Sequence, residues 1–274
     1  MSAGTLLWRV APPRVTRRLV GTGAGRYLIE RNVRVYRADW KVFVSGVFEP
    51  VFYLLSIGVG VSQLVGDIQL PGGQVVTYTA FIAPAMLATS AMNGAMYDAV
   101  FNLFFKLKYA KLYDAVLSTP LTTVDVAAGE IGWALIRGSF YSSMFLIVML
   151  VLGLITSWWA LLALPATVLI GLAFAAIGTA ATTYMKSWQD FEYVTLVTMP
   201  MFLFSATFYP LSTYPENVQW LVQLSPLYHA AALMRQLTIG GVGVDALVHV
   251  AVLLGLGVVG LLITSRRLQR LLLT

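Results

Sequence analysis

Long apolar runs divide this chain, and they limit its fold more than any other feature. Val42–Leu64, Val75–Val100, Val126–Leu154, Trp158–Tyr184, Phe191–Tyr209 and Val244–Thr264 each approach or exceed the ~20 residues that cross a hydrocarbon layer of roughly 30 Å. Only 11% of the residues are charged, and mean hydropathy is +0.79, whereas a soluble domain carries about a quarter charged residues. A soluble fold of 274 residues has no interior large enough for that much apolar side chain. The bilayer is therefore the solvent for most of it, and in lipid a helix satisfies its own backbone groups. The expected fold is an all-α membrane protein with six transmembrane helices over residues 42–274, preceded by an N-terminal arm, residues 1–41.

That arm is basic, with Arg9, Arg14, Arg17, Arg18, Arg26, Arg31, Arg34, Arg37 and Lys41, and Pro12 and Pro13 break its start. From Arg26 onward Tyr27, Leu28, Val35 and Trp40 alternate with arginines at near-helical spacing. This predicts an amphipathic helix in the headgroup layer with its tryptophan at the interface. A full-length span follows the arginines, rather than a short apolar core and a small-residue cleavage site, so a cleavable signal peptide is not expected.

Lysine and arginine set the orientation. With both termini cytoplasmic, the inner segments hold the nine basic residues of the arm, Lys106, Lys108, Lys111, Lys186, Arg266, Arg267 and Arg270. The outer loops Val65–Gln74 and Ile155–Ser157 hold none, and the segment after the fifth run holds only Arg235. The net charge of +6 is thus a membrane-facing asymmetry, and no nucleic-acid partner is expected.

Phe101–Leu121 falls on the cytoplasmic side. Read as a helix, it places Phe101, Phe105, Tyr109, Leu112 and Val116 on one stripe and Lys108, Lys111, Asp114 and Ser118 mostly opposite, and Pro120 ends it. Such a helix lies on a membrane surface or docks on a soluble partner. Between the fifth and sixth runs, WLVQLSPLYHAAALMRQL is apolar but divided by Pro226, and neither half is long enough to cross. It reads as two short re-entrant helices dipping in from the outer face, or as an amphipathic outer cap.

Reactive chemistry is sparse. There is no cysteine, only His229 and His249 offer imidazole, and GxxxxGK[ST], HExxH and GxSxG are all absent. No catalytic residue, metal site or bound cofactor is expected on this chain. Glu49, Glu130 and Arg137 fall inside apolar runs, where a charge costs about 2.5–3.5 kcal/mol and is usually paired or near water. Glu130 and Arg137 are two turns apart on one helix face, too far for an ideal direct pair. Glu49 and Glu130 are expected near the cytoplasmic interface, bonded to arginines of the interfacial helix. His249 is expected to be a packed polar residue.

Several stretches, taken in order, resemble one family. They are ERNVRVYRADW, EPVFYLLSIGVGV, FIAPAMLATSAM, KLYDAVLSTPLTTVDVAAGEIGWA and SATFYPLSTYPENVQWLVQLSPLYHAAALMRQL. The chain resembles the membrane subunit of a type-2 ABC exporter, and is most similar to the nodulation-factor export permeases. The resemblance implies a dimer with an identical or paralogous permease, surrounded by membrane lipids. It also implies two separate ABC ATPase subunits that hold ATP and Mg, in a bacterial plasma membrane. Phe101–Leu121 becomes the coupling helix that enters a cleft in the ATPase, through Lys108, Lys111, Leu112, Tyr113, Asp114, Thr119 and Pro120. Phe208, Pro210, Pro226 and His229 match an outer re-entrant signature and are the implied outer gate. The implied cargo is a lipid-linked saccharide, a glycolipid or an amphipathic drug. The alternative, an ion-coupled secondary transporter, expects repeats between halves and charges near mid-membrane. No repeat is visible, and the ionisable residues gather near one side.

Overall fold

The computed structural model describes residues 23–38, 48, 51–70, 73–109, 116, 119 and 121–272. Glu49, Lys111, Leu112, Tyr113, Asp114 and Pro120 lie outside the described residues. Within them the chain is almost wholly helical. Among the described residues three helices, Thr123–Val151, Trp158–Thr182 and Asp245–Leu271, are long and apolar enough to cross a membrane.

Helix α1, Arg26–Ala38, is strongly amphipathic, and it packs on protein as well as facing outward. Gly25, Leu28 and Asn32 are buried on one stripe, while Tyr27, Arg31 and Arg34 are exposed. The approach to α4 (Thr123–Val151) needs glycine on both sides. A Cβ on Gly25 would stand 2.8 Å from the Asp125 carbonyl oxygen, and one on Gly129 would stand 2.8 Å from the Gly25 carbonyl oxygen. Helix α4 itself starts at a reciprocal cap. The Thr122 hydroxyl accepts the Asp125 N–H at 3.2 Å, and the Asp125 carboxylate accepts the Thr122 N–H at 3.0 Å. The other Asp125 oxygen accepts the Gly23 N–H at 3.1 Å, so the same carboxylate pins the start of α1.

Helix α2, Val51–Val65, winds as a π-helix over Leu54–Val59. An antiparallel hairpin follows, β1 (Asp67–Gln69) against β2 (Val75–Thr77), in the register Asp67↔Thr77. Gly73, at φ +81°, takes the left-handed position in its turn. The second apolar run therefore spends its first three residues as strand, and its helix α3 begins at Tyr78 rather than Val75. The Thr77 hydroxyl caps α3 by accepting the Ala80 N–H at 3.3 Å. Helix α3 continues to Phe104, a length of ~40 Å, and passes through Pro84 into a π-helical turn over Phe105–Tyr109.

Helix α5 spans Trp158–Thr182 and opens as a 3-10 turn over Trp158–Leu162. Helix α6 spans Phe191–Phe204, five residues short of the expected Tyr209. Ser205–Tyr209 leaves the helix, with Ala206 at φ +54°. Two short helices flank Ser225: α7 (Glu216–Leu224) and α8 (Pro226–Ile239), with Pro226 at the first turn of α8, where its missing N–H is not needed. Helix α9, Asp245–Leu272, runs past the expected end through Arg266, Arg267 and Arg270.

Helix α5 is the centre of the bundle and packs on α3, α4 and α9, while α8 fills the space between α3 and α9. Small residues make this possible, since helices in lipid gain from close backbone approach rather than from expelling water. A Cβ on Gly178 would meet Met96 and Val100 side-chain carbons at 2.9 Å, and one on Gly260 would stand 2.6 Å from the Ala176 carbonyl carbon. Helix α6 is different. Only Thr198 on it is buried. Between α6 and the bundle lies an apolar cleft of about 620 Å³, lined by Ile177, Ala181, Val194, Val197 and Leu256 and reaching Lys186 at one end.

Candidate functional site: a polar clamp and a two-ended strut

Polar side chains gather at the bundle end that carries α1. Lys106, in the π-helical turn after α3, places Nζ 2.5 Å from Glu130 Oε2 on α4 and donates to Asn32 Oδ1 on α1 at 3.2 Å. The Asn32 amide donates to the same Glu130 oxygen at 3.5 Å. One turn or two further into the bundle, Arg137 of α4 pairs with Asp98 of α3 and donates to the Tyr141 hydroxyl at 2.9 Å. Asn102 donates to Asp98 at 2.6 Å and accepts the Tyr36 hydroxyl of α1 at 3.0 Å. Tyr36 also lies 5.2 Å, ring to ring, from Trp133, and the Arg137 guanidinium sits 5.1 Å from the Tyr36 ring centre. Burial, with Asp98 nearby, pushes the Tyr36 phenol above its ordinary pKa. It therefore stays a hydroxyl donor. Three helices are clamped by two ion pairs, each with a polar side chain of α1 added to it.

The same end carries an aromatic cluster. Phe101 stacks on Phe191 at 4.5 Å with planes 6° apart, and Phe104 meets Phe191 edge-on at 4.9 Å. Trp188 closes the cluster 4.9 Å from Phe191. These contacts join the last turn of α3 to the first residue of α6. The turn before α6 is capped by Asp190, which accepts the Lys186 N–H at 2.6 Å and the Ser187 N–H at 3.1 Å. These backbone donors hold its carboxyl below the usual range.

At the opposite end α6 is tied again. Arg235 of α8 donates to the Ala206 carbonyl at 2.6 Å, to the Thr207 carbonyl at 3.0 Å and to the Phe81 carbonyl of α3 at 3.1 Å, and its guanidinium sits 4.0 Å from the Phe81 ring centre. Ala206 and Thr207 lie just past the carbonyl end of α6, where a cation is favoured. The Ser205 and Ser225 hydroxyls are 2.5 Å apart and join the end of α6 to the start of α8. Midway, the Tyr97 and Thr198 hydroxyls are 3.3 Å apart. Helix α6 is thus a strut, loosely packed along its length and fastened at both ends.

Known proteins share this arrangement of sequence. Residues 24–239 match the model of the ABC-2 type transporter family. The chain belongs to that family. It is 35% identical over 236 residues to nodulation protein J of Rhizobium leguminosarum bv. viciae, covering 85% of this chain and 89% of the relative. It is 30% identical to nodulation protein J of Rhizobium meliloti (strain 1021), covering 86% and 90%. It is 25% identical to the inner membrane transport permease YadH of Escherichia coli (strain K12), covering 76% and 78%. The chain is accordingly an ABC-2 permease, a membrane transport subunit with apolar helices.

In this permease two of the expected intramembrane polar residues, Glu130 and Arg137, are not isolated. Glu130 is bonded to Lys106 and Asn32, which corrects the expectation of an arginine partner from the interfacial helix. The arginines of α1 point outward, and an asparagine occupies the buried stripe. Arg137 takes Asp98, a residue that the apolar pattern of its run had hidden. Of the expected coupling residues, Lys108 is exposed in the π-helical turn, and Thr119 donates to the Val116 carbonyl at 2.5 Å. Of the outer set, Phe208 packs edge-on against Phe202 at 5.1 Å, Pro210 precedes a 3-10 turn, and Pro226 opens α8. His229 meets His249, with their Nδ1 atoms 2.8 Å apart. Sequence reasoning missed Arg235 as a structural cation. It is the lone Lys or Arg between Lys186 and Arg266, and that isolation was the available signal.

Proposed function

We propose that this permease is the membrane half of an ATP-driven exporter, with six spans, both termini cytoplasmic and a second permease protomer beside it. Two ABC ATPase subunits burn the ATP. The cargo is a lipid-linked saccharide, a glycolipid or an amphipathic drug. The orientation rests on charge. Among the described residues Arg31, Arg34, Lys106, Lys108, Lys186, Arg266, Arg267 and Arg270 share one end of the helices, and Arg235 lies at the other.

The observation that carries the reading is the continuous route through α6. The segment after α3 is the coupling helix that receives the ATPase motion. Lys106 at its root is held to α1 and α4, so displacement there cannot be absorbed locally. Phe101 and Phe104 push on Phe191, and α6 transmits that movement to Arg235, Ser225 and the α7–α8 pair, which form the outer gate. Rigid elements with discrete contacts at both ends are suited to carrying a displacement across a membrane. Loose packing along α6 leaves it free to move against α5, and the apolar cleft behind it gives an amphipathic cargo a surface to follow.

The test is reconstitution with the cognate ATPase subunit in sealed vesicles. Asp114→Lys and Leu112→Asp are expected to abolish export while membrane insertion and basal ATP hydrolysis persist. Unchanged export by both variants, or full pumping by the permease alone, overturns the proposal.

A further inference from the structure

His229 of α8 and His249 of α9 face each other through like atoms. Their Nδ1 nitrogens are 2.8 Å apart and their ring centres 5.1 Å apart. A contact this short between two imidazole nitrogens needs one hydrogen between them, donated by one ring and accepted by the other. His249 is buried and His229 half-buried, and Tyr228 covers both rings edge-on, at 5.5 Å and 6.1 Å. His229 also bonds the backbone at Gln223, the penultimate residue of α7. The pair therefore joins α7, α8 and α9 at the end of the bundle remote from α1.

We infer that His229 and His249 form a proton-responsive latch, which holds the α7–α8 pair against α9 when the pair shares one hydrogen and releases it when both rings are fully protonated. The direction follows from counting protons. Two free imidazoles each gain a proton near pH 6.5. The closed pair accepts one added proton on a remote nitrogen and keeps its N–H···N bond. A second added proton sets two N–H donors and two positive charges face to face. The closed contact binds fewer protons than the parted rings, so it is fully present above about pH 6.5 and weakens as the pH falls below it. The two rings titrate as a unit, not as separate residues.

The surroundings do not supply a stronger switch. Asp245 is exposed at the start of α9, four residues before His249. The Tyr228 phenol is pushed up by burial and stays neutral. Arg235 lies on α8 six residues beyond His229, engaged with three carbonyls. The adjoining stretch of α5 and its opening turn, Trp158–Thr182, carry no charged residue. Burial holds the His229 pKa below its ordinary value, the direction expected of a ring whose charged form the site disfavours.

The latch itself is a property of the folded permease and does not require export. Its consequence, a gate that loosens when the outer face is acid, rests on the proposed function, so the two are tested separately. The chain has no cysteine, so spin labels at Leu224→Cys and Leu247→Cys are the sole labels. These positions are 71% and 68% exposed. In the permease in nanodiscs, with labelled chains diluted in unlabelled ones, the label separation within a chain is expected to be single near pH 7.5 and to gain a longer component near pH 5, below the histidine range. His229→Gln and His249→Gln are expected to remove the pH response. A separation in the unsubstituted pair that is the same at both pH values overturns the latch. So does an acid response that survives both substitutions. Export into vesicles of acid or neutral lumen then tests the consequence alone.

Discussion

Lys106 Nζ lies 2.5 Å from Glu130 Oε2, and the two side chains are 11% and 3% exposed. A pair this deep has paid for its desolvation in advance, and the sign of a substitution depends on whether one charge or both are removed. Lys106→Met leaves the Glu130 carboxyl enclosed without its ion-pair partner, and Glu130→Leu does the same to the Lys106 amine. Each is expected to destabilise by about 3–5 kcal/mol. The double variant Lys106→Met, Glu130→Leu should recover most of that loss. Thermal unfolding of the four proteins in one detergent gives the coupling energy as a double-mutant cycle. Additive losses would show that the pair is not a unit.

Helix α9 lies so close to α5 at Gly260 that a Cβ would reach 2.6 Å from the Ala176 carbonyl carbon, whereas Gly255 on the same helix has nothing within 4 Å. Gly260→Ala is expected to lower stability by about 1–3 kcal/mol through forced separation of the two helices. Gly255→Ala should be neutral or slightly stabilising, because alanine is the better helix former. Equal effects at the two sites, measured as shifts in unfolding temperature, would refute the packing argument.

Much of this architecture is legible in the sequence because lipid allows few backbone solutions. The apolar runs, the amphipathic residues from Arg26, and the break at Pro226 each follow from one local rule. Departures arise where a second segment decides. Val75–Thr77 reads as the start of a span, but the turn at Gly73 brings it against Asp67–Gln69, and it becomes strand. Ser205–Tyr209 is apolar enough to continue α6, but its carbonyls are recruited by Arg235, 28 and 29 residues away. The polar clamp is the clearest case. Glu130 and Arg137 stand out as charges in an apolar run, yet their partners Lys106 and Asp98 are on another helix. No periodicity within α4 could name them. Asn32 carries no charge and sits among arginines that do, so the one residue of α1 that matters to Glu130 is the least conspicuous.

Phe191 tests the fastening of the strut at the end near α1. It touches Phe101, Phe104 and Trp188, and each ring pair is worth about 0.5–1.5 kcal/mol beyond area burial. Phe191→Ala is expected to lower stability by at least about 1 kcal/mol and to cut export while the ATPase partner still binds and hydrolyses ATP. Phe191→Tyr keeps the ring and should keep export. Paired measurements of hydrolysis and flux in reconstituted vesicles separate loss of coupling from loss of assembly. A proportional fall in both would assign Phe191 a role in assembly only.

Arg235 tests the fastening at the end remote from α1, and here geometry matters more than charge. Its forked guanidinium reaches Ala206 and Thr207 on one side and Phe81 on the other, three carbonyls on two segments. Lysine keeps the charge as a point donor and has no fork with which to bridge them. Arg235→Met leaves buried acceptors without a donor, at about 1–3 kcal/mol for each carbonyl that water does not reach. Arg235→Lys should recover part of the stability and little of the export, because one end of α6 is no longer held to both α3 and α8. If lysine restores flux as fully as it restores the unfolding temperature, the cation serves only to neutralise the carbonyl end of α6, and the strut is not fastened there.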